Sequence, residues 1–194
     1  MKEYNFFAML SRMKYISRWG LMRNTISENI AEHSLDTAII AHGLAVIGNT
    51  HFGKDINAEH IAVLAMFHDT TEIITGDLPT PVKYFAPEIR EAYKEVEKTA
   101  MDQLLKSLPD EMNRVYRDIL DVESGEEEAW KYVKAADKIS ALIKCVEEKR
   151  MGNTDFEKAE QATLAAIHNL EMEEAEYFLD KFLPAYNLTL DEQA

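Results

Sequence analysis

The sequence predicts an all-α protein built as one domain over residues 1–194. Glycine and proline are sparse, at 7 and 5, so few turns break the chain and long helices are expected. Apolar residues recur at the three- and four-residue spacings of buried helix faces. No segment sustains the period-two alternation of a half-buried strand.

The elements follow in order. Asn5 caps a first helix through about Ile16, and Ser17-Arg18-Trp19-Gly20 breaks the pattern. Ser27 caps a long second helix from Glu28 toward Ile47, with a stripe of Ile30, Leu35, Ala38, Ile39, Leu44, Ala45 and Ile47. Gly48-Asn49 stops it. Asn57 caps a third helix carrying Ile61, Leu64, Ala65 and Phe67, which leads straight into His68-Asp69-Thr70-Thr71-Glu72. A loop from Thr75 to Pro81 follows. Pro87 suits the first turn of a polar-faced helix that ends near Pro109, and a shorter helix starts at Asp110. Ser124 with Glu127 reads as a capping box for a helix running through Asp137 and Cys145 to Gly152. Two further helices occupy Thr154 to Leu183, before Pro184. There is no repeat, low-complexity tract or linker.

Hydrophobic residues make up 46% of the chain, enough for an ordinary globular core. The single cysteine, Cys145, rules out an intrachain disulfide framework and fits a reducing cytoplasm. Met1-Lys2-Glu3-Tyr4 lacks the apolar core of a signal peptide, and no apolar run approaches the ~20 residues of a membrane helix. Cytoplasmic location without membrane attachment is the expectation. A net charge of −14 argues against binding duplex nucleic acid. Residues 1–23 run the other way, with Lys2, Arg12, Lys14, Arg18 and Arg23 against Glu3 alone. A locally basic segment suits a compact anion such as a phosphate monoester. A solvated face of an amphipathic helix would look the same.

Three places carry candidate chemistry. His68 and Asp69 are adjacent at a helix end, and Glu72 lies four residues beyond His68 and three beyond Asp69, on a shared face. Imidazole and carboxylate on one patch suit a divalent ion. His33 sits early in the second helix, either as a ligand or as a buried histidine bonded to a neighbour. Asp137 sits mid-helix among Val133, Ala136, Ser140 and Ala141, a face for close packing. A carboxylate there is costly unless bound to a metal or paired, and Lys134 and Lys138 are at hand as partners.

Together these residues form a His … His-Asp … Asp constellation on helices, and at this point the sequence resembles the HD-domain phosphohydrolase superfamily. Its all-α fold gathers such residues around a metal. A narrower resemblance rests on Arg18-Trp19, Glu28-Asn29-Ile30-Ala31-Glu32-His33-Ser34, His68-Asp69-Thr70-Thr71-Glu72, Thr75-Gly76-Asp77-Leu78-Pro79-Thr80-Pro81-Val82-Lys83 and the closing Asn187-Leu188-Thr189-Leu190-Asp191-Glu192. These segments look like the bacterial HD-domain 5'-deoxynucleotidases. The resemblance implies a single-domain HD-type helical bundle that removes phosphate from deoxyribonucleoside 5'-monophosphates, as a homodimer, with a divalent metal of the cobalt or manganese class.

The same resemblance implies roles. His33, His68, Asp69 and Asp137 hold the metal. Glu72 is the catalytic carboxylate, orienting water or protonating the leaving 5'-oxygen. Arg18 orients the phosphate through its planar fork of donors. Trp19 and His33 border the nucleotide, Asp77 accepts the sugar 3'-hydroxyl, and Thr80, Pro81, Val82 and Lys83 line the pocket. Bland alternatives stand beside several of these roles. Trp19 can be core packing, Asp77 a turn former after Gly76, and the Thr80–Lys83 run a proline-stiffened loop. His42, His51, His60 and His168 match no motif position. The rival functions are another HD-type phosphohydrolase, acting on triphosphates or phosphodiesters, and a non-catalytic nucleotide-sensing module. The intact set of ligands, Glu72 and Arg18 favours the enzyme, and the lack of a second His-Asp dipeptide argues against a bimetallic phosphodiesterase.

Overall fold

The structure, a computed structural model, describes residues 3–83, 85–121 and 126–193. The side chain of Thr80 and the proposed cap Ser124 lie outside the described residues. The helices are α1 (Phe6–Leu10), α2 (Ile30–His51), α3 (Ala58–Phe67), α4 (Glu72–Thr75), α5 (Thr80–Lys83), α6 (Pro87–Leu105), α7 (Asp110–Leu120), α8 (Glu127–Arg150), α9 (Glu157–His168) and α10 (Glu173–Lys181). Short 3-10 turns join some of them, and one isolated antiparallel bridge pairs Ser17 with Asn29. The expected all-α class is the one found.

The chain forms two compact units. The first comprises Met1–Leu21, Ser27–Ser34 and Phe67–Glu126, and the second Met22–Ile26, Leu35–Met66 and Glu127–Ala194. In the first, Phe6 of α1 packs with Met101, Leu104 and Leu105 of α6, together with Leu108 and Leu120. A smaller cluster joins Met13, Ile30 and Ile73. In the second, Leu44 of α2, Leu64 of α3 and Ile139 and Leu142 of α8 anchor the core, closed by Ile167 and Phe178. Cys145 is fully buried on α8.

Local chemistry differs from expectation at α2. Asn29, not Ser27, caps the helix: its Oδ1 accepts the amides of Ala31 and Glu32 at 3.0 and 3.1 Å, and Glu32 Oε2 accepts the Asn29 amide in return. The inward face is Ala38, Ile40, Ala41, Leu44, Ala45 and Ile47, while Leu35 and Ile39 are exposed. Gly48 does not stop the helix. A Cβ there would meet Glu174 Oε1 at 2.7 Å, so glycine serves close approach, and the chain turns at Gly53, φ 64°. The best window of α2 reaches mean hydropathy 1.2, long and apolar enough to cross a membrane by composition, contrary to the sequence expectation. That window is 56% buried within the protein, as in a core helix. Elsewhere Asn57 caps α3 through His60 N–H at 2.9 Å, and Pro87 opens α6 as expected.

The second unit holds an ion cluster that was not foreseen. The Glu148 carboxylate, fully buried, accepts the Thr25 and Ile26 amides at 2.9 and 3.0 Å and Asn153 Nδ2 at 2.7 Å, and pairs with Lys144. Burial works to raise its pKa, but the bonds from Lys144, Ile26, Asn153 and Thr25 win and hold it well below the usual range. Glu148→Gln is therefore expected to cost about 3–5 kcal/mol at neutral pH, because Lys144 loses its anionic partner. A carboxyl with depressed pKa stabilises the fold above its ordinary value of 4.5 and loses that contribution as the pH falls toward its folded value. The gap between wild type and variant in denaturant unfolding should accordingly be widest at pH 7 and shrink below about pH 4.5. An equal gap in acid would contradict this account.

Candidate metal and phosphate site

The site is built on the first unit by three local devices. The Ser17–Asn29 bridge runs through Arg18 N–H to Glu28 O and Ile30 N–H to Ile16 O, both 3.0 Å, and sets Arg18-Trp19 beside Glu28. The first turn of α2 presents His33. A turn after α3 carries His68 and Asp69, and the Glu72 amide closes it onto Asp69 O at 3.0 Å.

His33, His68 and Asp69 offer atoms within 4.8 Å of one another. Asp69 Oδ2 stands 3.2 Å from His68 Nε2 and 3.6 Å from His33 Nε2. Imidazole and carboxylate ligands sit about 2.0–2.2 Å from a transition-metal ion, which places neighbouring donors about 3.0–3.4 Å apart. The donor types and spacing therefore fit a divalent ion. Arg18 Nη1 lies 3.3 Å from the same Asp69 oxygen. Burial opposes ionisation of Asp69, but His68, His33 and Arg18 outweigh it and keep the carboxylate charged.

Glu72 opens α4, 9% exposed, with Oε2 buried and without a hydrogen-bond partner among the described residues. Burial and the charges of Asp69 and Asp77 push its carboxyl up to about 9, with Arg18 and His68 acting in the opposite sense. Asp77 belongs to the same electrostatic group. Burial raises its pKa and Asp69 adds to the rise, while Arg18 and the Trp19 backbone N–H oppose it.

Trp19 is not simply core packing. It adopts φ 58°, a left-handed conformation uncommon for a bulky residue. Its indole N–H donates to Glu28 Oε2 at 2.8 Å and its amide bonds Asp77, so it is held at both ends. His33 is fully buried, which suits a ligand better than a direct substrate contact. Pro81 and Val82 are exposed. Lys83 is already engaged, its Nζ 3.0 Å from Glu97 and 4.8 Å above the Tyr93 ring. Asp137 sits half-buried midway along α8, in the second unit, flanked by buried Val133, Ala136 and Ser140. The His33–His68–Asp69 group lies wholly in the first.

Sequence reasoning assigned no role to two contributors. Glu28 faces Arg18, Trp19 and His33 at once. Tyr93 donates to Thr75 Oγ1 and Gly76 O at 3.1 and 3.3 Å, tying the Asp77 loop to α6. Neither has a local signature. Glu28 reads as an ordinary acid near a helix start, and Tyr93 lies in a polar helix remote from every motif.

Comparison with known proteins agrees with the geometry. The profile of the 5'-deoxynucleotidase YfbR-like family matches residues 5–186. The 5'-deoxynucleotidase YfbR of Salmonella arizonae is 48% identical over 195 aligned positions, covering 99% of this chain and 96% of that protein. The crystal structure of an HD-domain phosphohydrolase from Listeria innocua superposes with TM-score 0.83 at 27% identity, covering 97% of this chain and 91% of that one. The cyanophage S-2L HD phosphohydrolase DatZ, solved with dA and one catalytic Zn2+ ion, shares the fold with TM-score 0.66 at 19% identity, covering 91% and 95%. With its helices, its His-Asp donor group and a near full-length family match in agreement, the chain belongs to the YfbR-like 5'-deoxynucleotidase family.

Proposed function

We propose that the chain is a metal-dependent 5'-deoxynucleotidase that hydrolyses deoxyribonucleoside 5'-monophosphates to deoxyribonucleosides and phosphate. The observation that carries this reading is Asp69, whose one oxygen faces both imidazoles and the Arg18 guanidinium. A cation-binding donor group with a guanidinium against it suits a phosphate monoester, whose oxygens are bound by both.

His33, His68 and Asp69 hold a divalent ion of the cobalt or manganese class, with Asp137 as fourth ligand by the family pattern. Such an ion, when bound, supplies Lewis acidity and a water of lowered pKa. Arg18 holds the phosphate oxygens and opposes their charge. Glu72, buried near the charges of Asp69 and Asp77, is the catalytic carboxylate, orienting the attacking water or protonating the leaving 5'-oxygen. Trp19 and His33 border the nucleotide, and Thr80, Pro81, Val82 and Lys83 line the pocket, with Lys83 released from Glu97 if it is to reach substrate. The whole chain acts as one HD domain, in keeping with the single family match over 5–186. It works as a cytoplasmic homodimer without duplex nucleic acid or membrane as partner.

The test is phosphate release from paired ribo- and deoxyribonucleoside monophosphates across several divalent metals, with and without chelator. Release confined to triphosphates, or unaffected by chelation, would overturn the reading. Asp77 should set the sugar preference. A carboxylate accepting the 3'-hydroxyl leaves little room for a 2'-hydroxyl, and such crowding discriminates by up to about 100-fold. In Asp77→Ala, efficiency on deoxy-AMP should fall and the ratio over AMP should move toward unity. An unchanged ratio would return Asp77 to a turn-forming role.

A further inference from the structure

Glu28 is 12% exposed at its side chain and is used by nothing in the chemistry above. Its two oxygens divide between the two halves of the site. Oε2 accepts the Trp19 indole N–H at 2.8 Å and lies 3.6 Å from Arg18 Nε. Oε1 faces His33 Nδ1 at 3.6 Å. The backbone bond from Arg18 N–H to Glu28 O holds the main chain of Glu28 beside that of Arg18.

Each contact has a consequence. An imidazole whose Nδ1 faces a carboxylate favours the tautomer with its proton there, which leaves the Nε2 lone pair, on the Asp69 side, for a metal. A guanidinium whose Nε faces a carboxylate at 3.6 Å is drawn toward it by charge, while its Nη1 meets Asp69 at 3.3 Å. An indole held at its N–H has one orientation, and Trp19 keeps it despite φ 58°.

We propose that Glu28 is a positioning residue that couples metal retention to phosphate and nucleotide binding, by fixing His33 on one oxygen and Arg18 and Trp19 on the other. This rests on the metal-dependent phosphohydrolase reading. It places one carboxylate, outside the ligand set, in control of two properties that separate residues would otherwise govern.

The test is Glu28→Gln, which preserves size and removes the charge. Titration with Mn2+ and Co2+ alone, in the absence of nucleotide, should show affinity weakened about 10- to 100-fold. The visible absorption of bound Co2+ should change, because His33 loses its fixed orientation. At saturating Mn2+, KM for deoxy-AMP should stay raised about 10-fold while kcat recovers to within a few-fold, the pattern of lost binding rather than lost chemistry. Trp19→Phe, which removes only the indole donor, should raise KM and leave Mn2+ affinity within about 3-fold, since His33 keeps its partner. A Glu28→Gln protein with wild-type Mn2+ affinity and an unchanged Co2+ spectrum would overturn the proposal alone. Wild-type protein that takes up neither ion would overturn the metal-dependent reading and this proposal with it. Should Glu28→Gln not fold, Trp19→Phe decides: loss of Mn2+ affinity matching its rise in KM overturns the two-armed assignment.

Discussion

Asp69→Ala is expected to abolish phosphate release and leave the protein without bound divalent metal. One oxygen of this side chain meets three other groups of the site. Asp69 Oδ2 lies 3.2 Å from His68 Nε2, 3.6 Å from His33 Nε2 and 3.3 Å from Arg18 Nη1. Removing it takes away the anionic member of the donor group and leaves two imidazoles beside a guanidinium, a poor site for a dication. It also removes the Asp69 partner of Arg18. Loss of an electrostatic donor alone typically costs ~100- to 1,000-fold in rate, and loss of the ion should take the effect beyond that range. His33→Ala should behave likewise. Elemental analysis and phosphate release, with far-ultraviolet dichroism to show the helices intact, decide the matter. Full metal occupancy in both variants would remove them from the ligand set.

Glu72→Ala should separate metal binding from turnover. Among the described residues, its buried Oε2 has no hydrogen-bond partner and it is not one of the three donors that converge. Metal content should therefore survive, while kcat on deoxy-AMP falls by about 100- to 10,000-fold, the usual worth of a general acid or base. The leaving group distinguishes the two roles open to it. A deoxyribose alkoxide needs a proton, whereas nitrophenolate leaves without one. If Glu72 is the acid, the variant should lose far less activity on p-nitrophenyl phosphate than on deoxy-AMP. Equal losses on both substrates would assign it to the attacking water instead. Near-normal rates on both would remove it from the chemistry.

Much of this molecule is legible in its sequence because local signals decide it. Asn57 marks a helix boundary by its side-chain oxygen and Pro87 and Gly152 by their backbone conformation, and the order of His33, His68 and Asp69 finds three residues that do converge. What was misread depends on partners distant in the chain. Ser27 and Asn29 are equally good caps on paper, and the return bond from Glu32 favours Asn29. On α2 the inward face turns from Leu35 and Ile39 toward Ile40 and Ala41, because the helix meets neighbours that its own periodicity does not name. Glu28 was given no role because Arg18 and Trp19 are brought to it by a backbone bridge, and Glu148 because its acceptor role depends on a loop more than 120 residues away. Periodicity reports which residues want company, not which company they find.

The two glycines of α2 that lie five positions apart hold different promise for anyone hardening this protein against heat. A methyl group on Gly43 would meet nothing within 4 Å, and alanine in a helix interior is favoured over glycine by about 0.5–1 kcal/mol. At Gly48 the same methyl would press on the buried Glu174 carboxylate, which holds Tyr132 OH and Lys54 Nζ, each at 2.6 Å. Any gain in helix propensity there is offset by disturbing a buried charge. The same exchange that is a safe thermostabilising step at one glycine is a liability one and a half turns later.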